Sequence, residues 1–584
     1  VDALPPGLPV RDSARIVLLD RKEEPGMRCL VWIVMLCLPS AGACATQVEV
    51  LTAARIHTSD PQRPIAQAIA WDQEGRLLAV GDSEELLNRY PDARRIEAAG
   101  RTVIPGLIDA HGHVMGLGYA LIRADLVGAR DKAEVIARLK DYEKQLPADA
   151  WLLGSGWDQN DWPDKAFPSA ADLDAAFPER PVWLERVDGH AGWANSAALR
   201  AAAEKAGKPL GGDWQPAGGR IERSNGQPSG VLVDAAMALV NAALPAPDEA
   251  LREQALTKAL EAAVRHGLTG VHDMGVPRDD LALMKRFADT GRLPLRLSAY
   301  ADADGAALAD LCAQGLYRHE GGRLQMRGVK FYMDGALGSR GAALLEDYSD
   351  DHGNRGLLLT QPEAFESAAR KAKKCGVQVA THAIGDRGNR IVLDTYARVL
   401  GDTKDGDHRW RIEHAQVVAL DDIPRFATLG VIASMQPTHA TSDMPWVQER
   451  IGPQRVKGAY AWQRFLASGA RLALGSDFPV ESPDPRLGLH AAVARQDRAG
   501  QPPGGWQPDQ RLTAAEALRG FTADAAYAGH DEDEVGRLTP GLRADFVILD
   551  EDPLAIPAAG LDELHIHSTW VDGKPVFQVA PAPR

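Results

Sequence analysis

Residues 103–114 read VIPGLIDAHGHV. An apolar run leads into two histidines separated by one glycine, and the rest of the chain decides how that run is read. Seven more short apolar runs recur downstream: GLTGVHDM (267–274), LRLSAYA (295–301), MRGVKFYM (326–333), GVQVATHA (376–383), WRIEHA (410–415), GVIASMQ (430–436) and RLALGSD (471–477). With VIPGLIDA (103–110) they make eight candidate strands. Helical patterns separate most of them, for example QALTKALEAAVRHG (254–267) and PEAFESAARKAKKCG (362–376). Strands alternating with helices predict an α/β chain built on a (β/α)8 TIM-like barrel. The gap of about 115–260 exceeds what one helix needs. A large insertion after barrel strand 1 is therefore expected, with elements of its own at WLLGSGW (151–157) and PVWLERVDGH (181–190).

Outward from the barrel, both ends are strand-rich. QVEVLTAARIHT (47–58) alternates, and QAIAWDQEGRLLAVG (67–81) reads as a hairpin around Asp72–Gly75. ADFVILDED (544–552) and HSTWVDGKPVF (567–577) have the same character, the second turning at Asp572-Gly573. No repeats or low-complexity tracts stand out, and the Pro/Gly-rich patches near 205–230 and 501–508 read as surface loops. A chain of 584 residues exceeds one ordinary core, so a large domain plus a smaller one is expected. Hydrophobic content of 45% and charged content of 25% are those of a globular protein. The net charge of -15 argues against nucleic acid and anionic membrane surfaces as partners.

The N-terminal region reads as a targeting segment. Met27-Arg28 precedes the apolar run CLVWIVMLCL (29–38), which small residues follow in SAGACA (40–45). That order is the one of a secretory signal, too short for a stable membrane span. The expectation is an upstream extension at 1–26, a signal peptide at 27–45, and an exported protein, periplasmic or secreted. Lipid anchoring at Cys44 is the weaker option, because Ala41 stands where a lipoprotein signal has Leu. Cys312 and Cys375 then remain, forming one disulfide or none, without metal-site spacing.

The chemistry gathers at the strand ends. His111 and His113 follow the first strand. His382, His414 and Asp477 end the fifth, sixth and eighth, and Lys330 lies within the fourth. In a barrel the C-terminal strand ends converge on the face where active sites sit. Residues i and i+2 of an extended segment point the same way, so His111 and His113 can hold one ion together. Four imidazoles and a carboxylate suit a divalent transition metal, zinc above all. Taken singly, each residue also has an ordinary reading: a snorkelling lysine, core histidines, a helix-capping aspartate.

These motifs resemble the amidohydrolase superfamily, in its amidohydrolase family 3 branch with N-substituted formamide deformylase-like hydrolases. The resemblance runs from about residue 47 through VIPGLIDAHGHV, GVKFYMDGALGSRGA, THAIGDRGN, RIEHAQ, LALGSDFPVESPDP and LTPGLRADFVILDEDP. GWDQNDW (156–162) and RVDGHAGWANSAAL (186–199) carry it through the insertion. It implies a barrel at 103–534 and a small β-sandwich made from both chain ends, 46–102 and 535–584. It also implies metal ligands His111, His113, His382, His414 and Asp477, with Lys330 the lysine that can be carboxylated and bridge two Zn2+ ions. One or two metals per chain follow.

The implied reaction is hydrolysis of a non-peptide carbon–nitrogen bond of amide type in a small molecule by metal-activated hydroxide. Asp477 is the catalytic proton carrier. The substrate-facing candidates are His190, Arg340, Asp334 and Trp157; His190 bonds the substrate carbonyl or stabilises its loop. Arg340 holds a substrate carboxylate or pairs with an acid such as Asp334. Trp157 lines a pocket or packs the insertion. Alternatives are a deaminase of a heterocyclic amine, a metal-dependent esterase or lactonase, and a non-catalytic secreted binding protein. HAIGD (382–386) lacks the Glu usual in deaminases, with Asp386 nearest to it. A homo-oligomer stays open.

Overall fold

The structure is a computed structural model that describes residues 47–303, 306–401 and 407–580. The expected signal segment and cleavage site fall outside the described residues. Eight strands form the central sheet: β1 (Leu107–Gly112), β2 (Leu268–Val276), β3 (Arg296–Asp302), β4 (Leu324–Tyr332), β5 (Gln378–Ala383), β6 (Arg411–His414), β7 (Ile432–Met435) and β8 (Leu472–Leu474). These eight pair in chain order, each pairing parallel, and a short ninth strand, Tyr317–Arg318, adds antiparallel to β4. The segment after β8 returns to β1. Asp477 N donates to His111 O at 2.7 Å, and Ser476 Oγ donates to Asp109 Oδ2 at 2.6 Å. Gly475 permits this approach, since a Cβ there would lie 2.5 Å from both Asp109 Oδ1 and His111 N. The result is a near-closed (β/α)8 barrel.

The crossover helices follow local rules. Helix Glu249–Arg265 is capped by the Asp248 side chain, which accepts from Leu251 N. Helix Pro362–Lys374 begins on proline and ends in a cluster of lysines, matching the helix dipole. Its C-cap, Cys375, is disulfide-bonded to Cys312 in helix Ala307–Gln314, 63 residues earlier.

The run 103–110, read as one strand, is two. Thr102–Pro105 pairs antiparallel with Phe546–Leu549 in a six-stranded sheet outside the barrel. Gly106 is the break; a Cβ there would sit 2.1 Å from Thr269 Oγ1. A four-stranded sheet of N-terminal strands faces the six-stranded one. Leu51, Ile69, Trp71 and Val103 share a core with Phe546 and Trp570 from the other chain end. The hairpins at 67–81 and 567–577 form as their turns dictate.

Within the gap after β1, strands between Ala124 and Asp234 build a third, six-stranded sheet. One side packs on Trp157, Trp162 and Trp193, the other on Trp183, Ile221 and Leu232.

Buried ion pairs fasten the small sheets to the barrel floor. Arg296, at the start of β3, forks onto Asp545 at 2.8 and 2.9 Å, and Arg323 Nε reaches Asp572 Oδ2 at 2.9 Å. Burial pushes the Asp572 carboxyl up, but Arg296 and Arg323 outweigh it and hold it below the ordinary value. A depressed carboxyl stabilises the fold above its unfolded pKa of about 3.9, and that contribution is lost as pH falls through the folded value. Asp572→Asn is therefore expected to lower the urea midpoint at neutral pH. The deficit should shrink once the pH drops below about 4; a deficit unchanged at acid pH would contradict the charge assignment.

Candidate metal centre

Three imidazoles are oriented by fixed acceptors. His111 Nδ1 donates to Glu413 Oε2 at 2.6 Å, His113 Nδ1 to Met274 O at 2.9 Å, and His414 Nδ1 to Gln436 Oε1 at 2.9 Å. With the proton on Nδ1, each ring turns a bare Nε2 lone pair the other way. His111 Nε2 and His113 Nε2 then lie 3.3 and 3.1 Å from Asp477 Oδ1, a buried oxygen that has no hydrogen-bond donor. Lone pairs facing a carboxylate oxygen repel unless a cation sits among them. The separations also match the edge of a tetrahedron with metal–nitrogen bonds of roughly 2.0–2.1 Å. Ligand atoms of His111, His414 and Asp477 all fall within 4.8 Å of one another. Lys330 Nζ is 3.2 Å from His111 Nε2, and the His382 ring centroid is 4.5 Å from that of His414.

The backbone turns these groups inward. His414 and Asp477 have φ of 71° and 63°, the left-handed region that non-glycine residues enter at about 1–3 kcal/mol each. Asp109 holds the Asp477 turn by accepting from Ser476 N and His111 N, both at 3.0 Å.

Burial opposes charge on three of the imidazoles, while the cluster as a whole favours an ionised Asp477. Burial lowers His111 to about 4 and pushes His382 and His414 well below the usual histidine range. Burial would raise Asp477, but His111, His113 and His414 hold it well below the carboxylate range. Burial also brings Lys330 down to about 8. Glu413 is fully buried, yet Arg411 keeps it ionised, with Nε 2.6 Å and Nη2 2.9 Å from its oxygens.

The insertion supplies His190, whose Nδ1 donates to Asp234 Oδ1 at 2.6 Å and whose ring centroid lies 5.2 Å from that of His382. Burial lowers its pKa, but Asp234 outweighs this and lifts it to about 9. For the other substrate-facing candidates the structure favours the structural reading. Trp157 is wholly buried, donates Nε1 to Leu184 O at 2.8 Å and packs on Trp162 and Trp193, so it has no surface for a substrate. Asp334 is also wholly buried; it accepts from the backbone N–H of Ala343, Ile384 and Gly385, and so organises loops. Arg340 pairs with Asp350 at 3.0 Å rather than with Asp334. Asp386 accepts from Leu345 N at 2.8 Å and Arg387 N at 3.0 Å, which engages the nearest stand-in for a deaminase glutamate.

Sequence reasoning missed His439. Its ring stacks on His414 at 5.9 Å and 12°, and its Nε2 is 3.7 Å from Asp477 Oδ2. The signal was a histidine just past the seventh run, in MQPTH (435–439). Glu413 and Arg411 were also missed, although two charges inside the apolar run WRIEHA (410–415) marked them.

A sequence profile described as the amidohydrolase family matches residues 94–577. The Arabidopsis thaliana protein LONG AFTER FAR-RED 3 is 35% identical over 596 residues, covering 97% of this chain and 97% of its own length. The N-substituted formamide deformylase of Arthrobacter pascens is 30% identical over 541 residues, covering 89% and 96%. The crystal structure of an uncharacterized metal-dependent hydrolase from Pyrococcus horikoshii OT3 aligns with a TM-score of 0.71 at 28% identity, covering 88% of this chain and 99% of that one.

Removing one member of the Arg411–Glu413–His111 relay leaves its partners unpaired. Glu413→Gln is expected to weaken divalent-metal affinity by about 10–100-fold in chelator competition. Unfolding should show a loss of roughly 3–5 kcal/mol, from the uncompensated Arg411. Unchanged metal affinity would show that Glu413 does not orient His111.

Proposed function

The chain belongs to the amidohydrolase family of metal-dependent hydrolases, and on that premise we propose that it hydrolyses an amide-type carbon–nitrogen bond in a small molecule. The observation that carries this reading is the pair of imidazole lone pairs facing Asp477 Oδ1. His111, His113, His382, His414 and Asp477 would hold the ion. The mixed nitrogen and oxygen donors favour Zn2+. A divalent cation there acts as a Lewis acid and brings the pKa of a water to about 7.

Asp477, kept ionised, accepts the attacking water's proton and returns it to the leaving amine. His190, braced by Asp234, faces His382 from across the insertion and donates to the scissile carbonyl. Lys330 is buried with a pKa of about 8, so an appreciable fraction is the free amine near neutrality. That amine can combine with carbon dioxide, giving a carbamate and a proton. The carbamate supplies the oxygens an ammonium lacks and allows a second metal. The name of the Arthrobacter relative makes N-substituted formamides the first substrates to try. The products would be a carboxylic acid and an amine.

Export is supported by the Cys312–Cys375 bridge, since such bonds persist in oxidising compartments. Among the described residues no helix is long and apolar enough to cross a membrane. Cell fractionation should place the protein outside the cytoplasm with both thiols blocked; reduced thiols on a cytoplasmic protein would refute export.

For the reaction, elemental analysis of the protein beginning at Thr46 should give one or two metals per chain, with one lost in Lys330→Ala. Asp477→Asn should lower kcat on a cleaved N-formyl amine by about 10²–10⁴-fold, read as amine release. A protein that takes up no metal on reconstitution, or cleaves no N-acyl amine when loaded, would sink the reading.

A further inference from the structure

The wall beyond β7 and β8 is acidic. Helix Pro437–Asp443 follows β7, with His439 near its middle and Asp443 at its end. Glu481 lies on the segment after β8, and Ser442 Oγ donates to Glu481 Oε1 at 2.6 Å. This contact brings two half-buried carboxylates, Asp443 and Glu481, to one rim. Asp443 is held through Oδ2, which accepts from Gln416 Nε2 at 2.9 Å and from the Tyr460 hydroxyl. Burial pushes Asp443 up to about 7, and the Glu481 charge adds to the effect. Glu481 is likewise raised, mainly by burial and further by Asp477 and Asp161.

Among the described residues neither carboxylate has a lysine or arginine partner. The nearby cations are engaged elsewhere: Arg186 with Asp158 and Asp188, and Arg340 and Arg450 with Asp350. His439 pulls both carboxyls down and Arg186 also acts on Asp443, but neither outweighs burial; two carboxylates on one half-buried rim destabilise each other, and a further cation relieves them.

A second observation is independent of the charges. His439 is nine-tenths buried, and its Nε2 has no hydrogen-bond partner. That atom stands 3.7 Å from Asp477 Oδ2, in the field of both Asp443 and Glu481. It thus faces the proposed metal centre from the helix that also carries Asp443, a buried nitrogen with no hydrogen-bond partner among the described residues.

We propose that Asp443, Glu481 and His439 form a subsite for a substrate that carries a protonated amine. The carboxylates accept charge-assisted hydrogen bonds from the ammonium group, and His439 bonds the part of the substrate next to the scissile bond. The inference rests on the carbon–nitrogen hydrolase reading and narrows it to N-acyl compounds with a second, basic nitrogen. Neutral substrates of equal length bring no charge to either carboxylate.

The test uses a hydrolysis-resistant matched pair: N-(4-aminobutyl)methanesulfonamide, a cation, and N-pentylmethanesulfonamide, its neutral counterpart. Calorimetry on the metal-loaded protein at mildly alkaline pH gives the affinity ratio. The cation is expected to bind about tenfold or more tightly than the neutral probe, the effect of one charge-assisted bond. In Asp443→Asn and Glu481→Gln, tested separately and checked for folding by thermal unfolding, the ratio should fall below about threefold. Equal affinities in the wild type, no measurable binding of the cation, or a ratio unchanged in both variants would overturn the subsite. Amine release from ordinary N-acyl amines is assayed in parallel. Hydrolysis without cation preference leaves the hydrolase standing and removes the subsite; cation preference without hydrolysis does the reverse.

Discussion

The buried guanidinium of Arg411 is the constraint on which the centre depends. It lies on β6 inside the barrel with no solvent exposure. It contacts Ala110 O on β1, His272 on β2, Tyr300 on β3, Glu413 on its own strand and Ser434 on β7. An arginine so placed must be paired, because an uncompensated charge in the interior costs several kcal/mol. Glu413 pairs with it and passes the order outward by accepting from His111 Nδ1. The network that ties five strands together therefore also fixes which nitrogen of His111 faces the metal position.

From that point the rest of the centre follows by closure. Gly475 lets the chain after β8 approach β1, and Asp109 locks the turn that carries Asp477. Stability and chemistry occupy opposite ends of the strands. Arg296 and its acidic partners join the barrel floor to the small sheets, whereas left-handed residues such as His414 and Asp477 sit at the other end. The strain there is tolerated because neighbouring hydrogen bonds over-determine the geometry. The insertion reaches back over this face and adds His190 and Asp234.

Much of this was legible in the chain before any coordinates. Each of the eight apolar runs overlaps a barrel strand, because a strand buried on both faces must be apolar throughout. His111, His113, His382, His414 and Asp477 stood out because polar groups at the ends of such runs need a reason. What was not legible depended on partners distant in sequence. Trp157 and Arg340 have the composition of pocket residues, but the indole is sealed by Trp162 and Trp193 and the guanidinium is paired with Asp350. Gly106 hid a change of sheet, since an apolar run reads alike whichever sheet it joins.

The sequence by itself determined the strand–helix alternation, the position of the long insertion and the polar groups at the strand ends. These are local properties of period and spacing. Only the tertiary structure decided the tautomer at His111, His113 and His414 and the arrival of His439 beside Asp477. Those depend on desolvation and on hydrogen-bond partners up to 302 residues away, as between His111 and Glu413. No local window of sequence contains both members of such a pair.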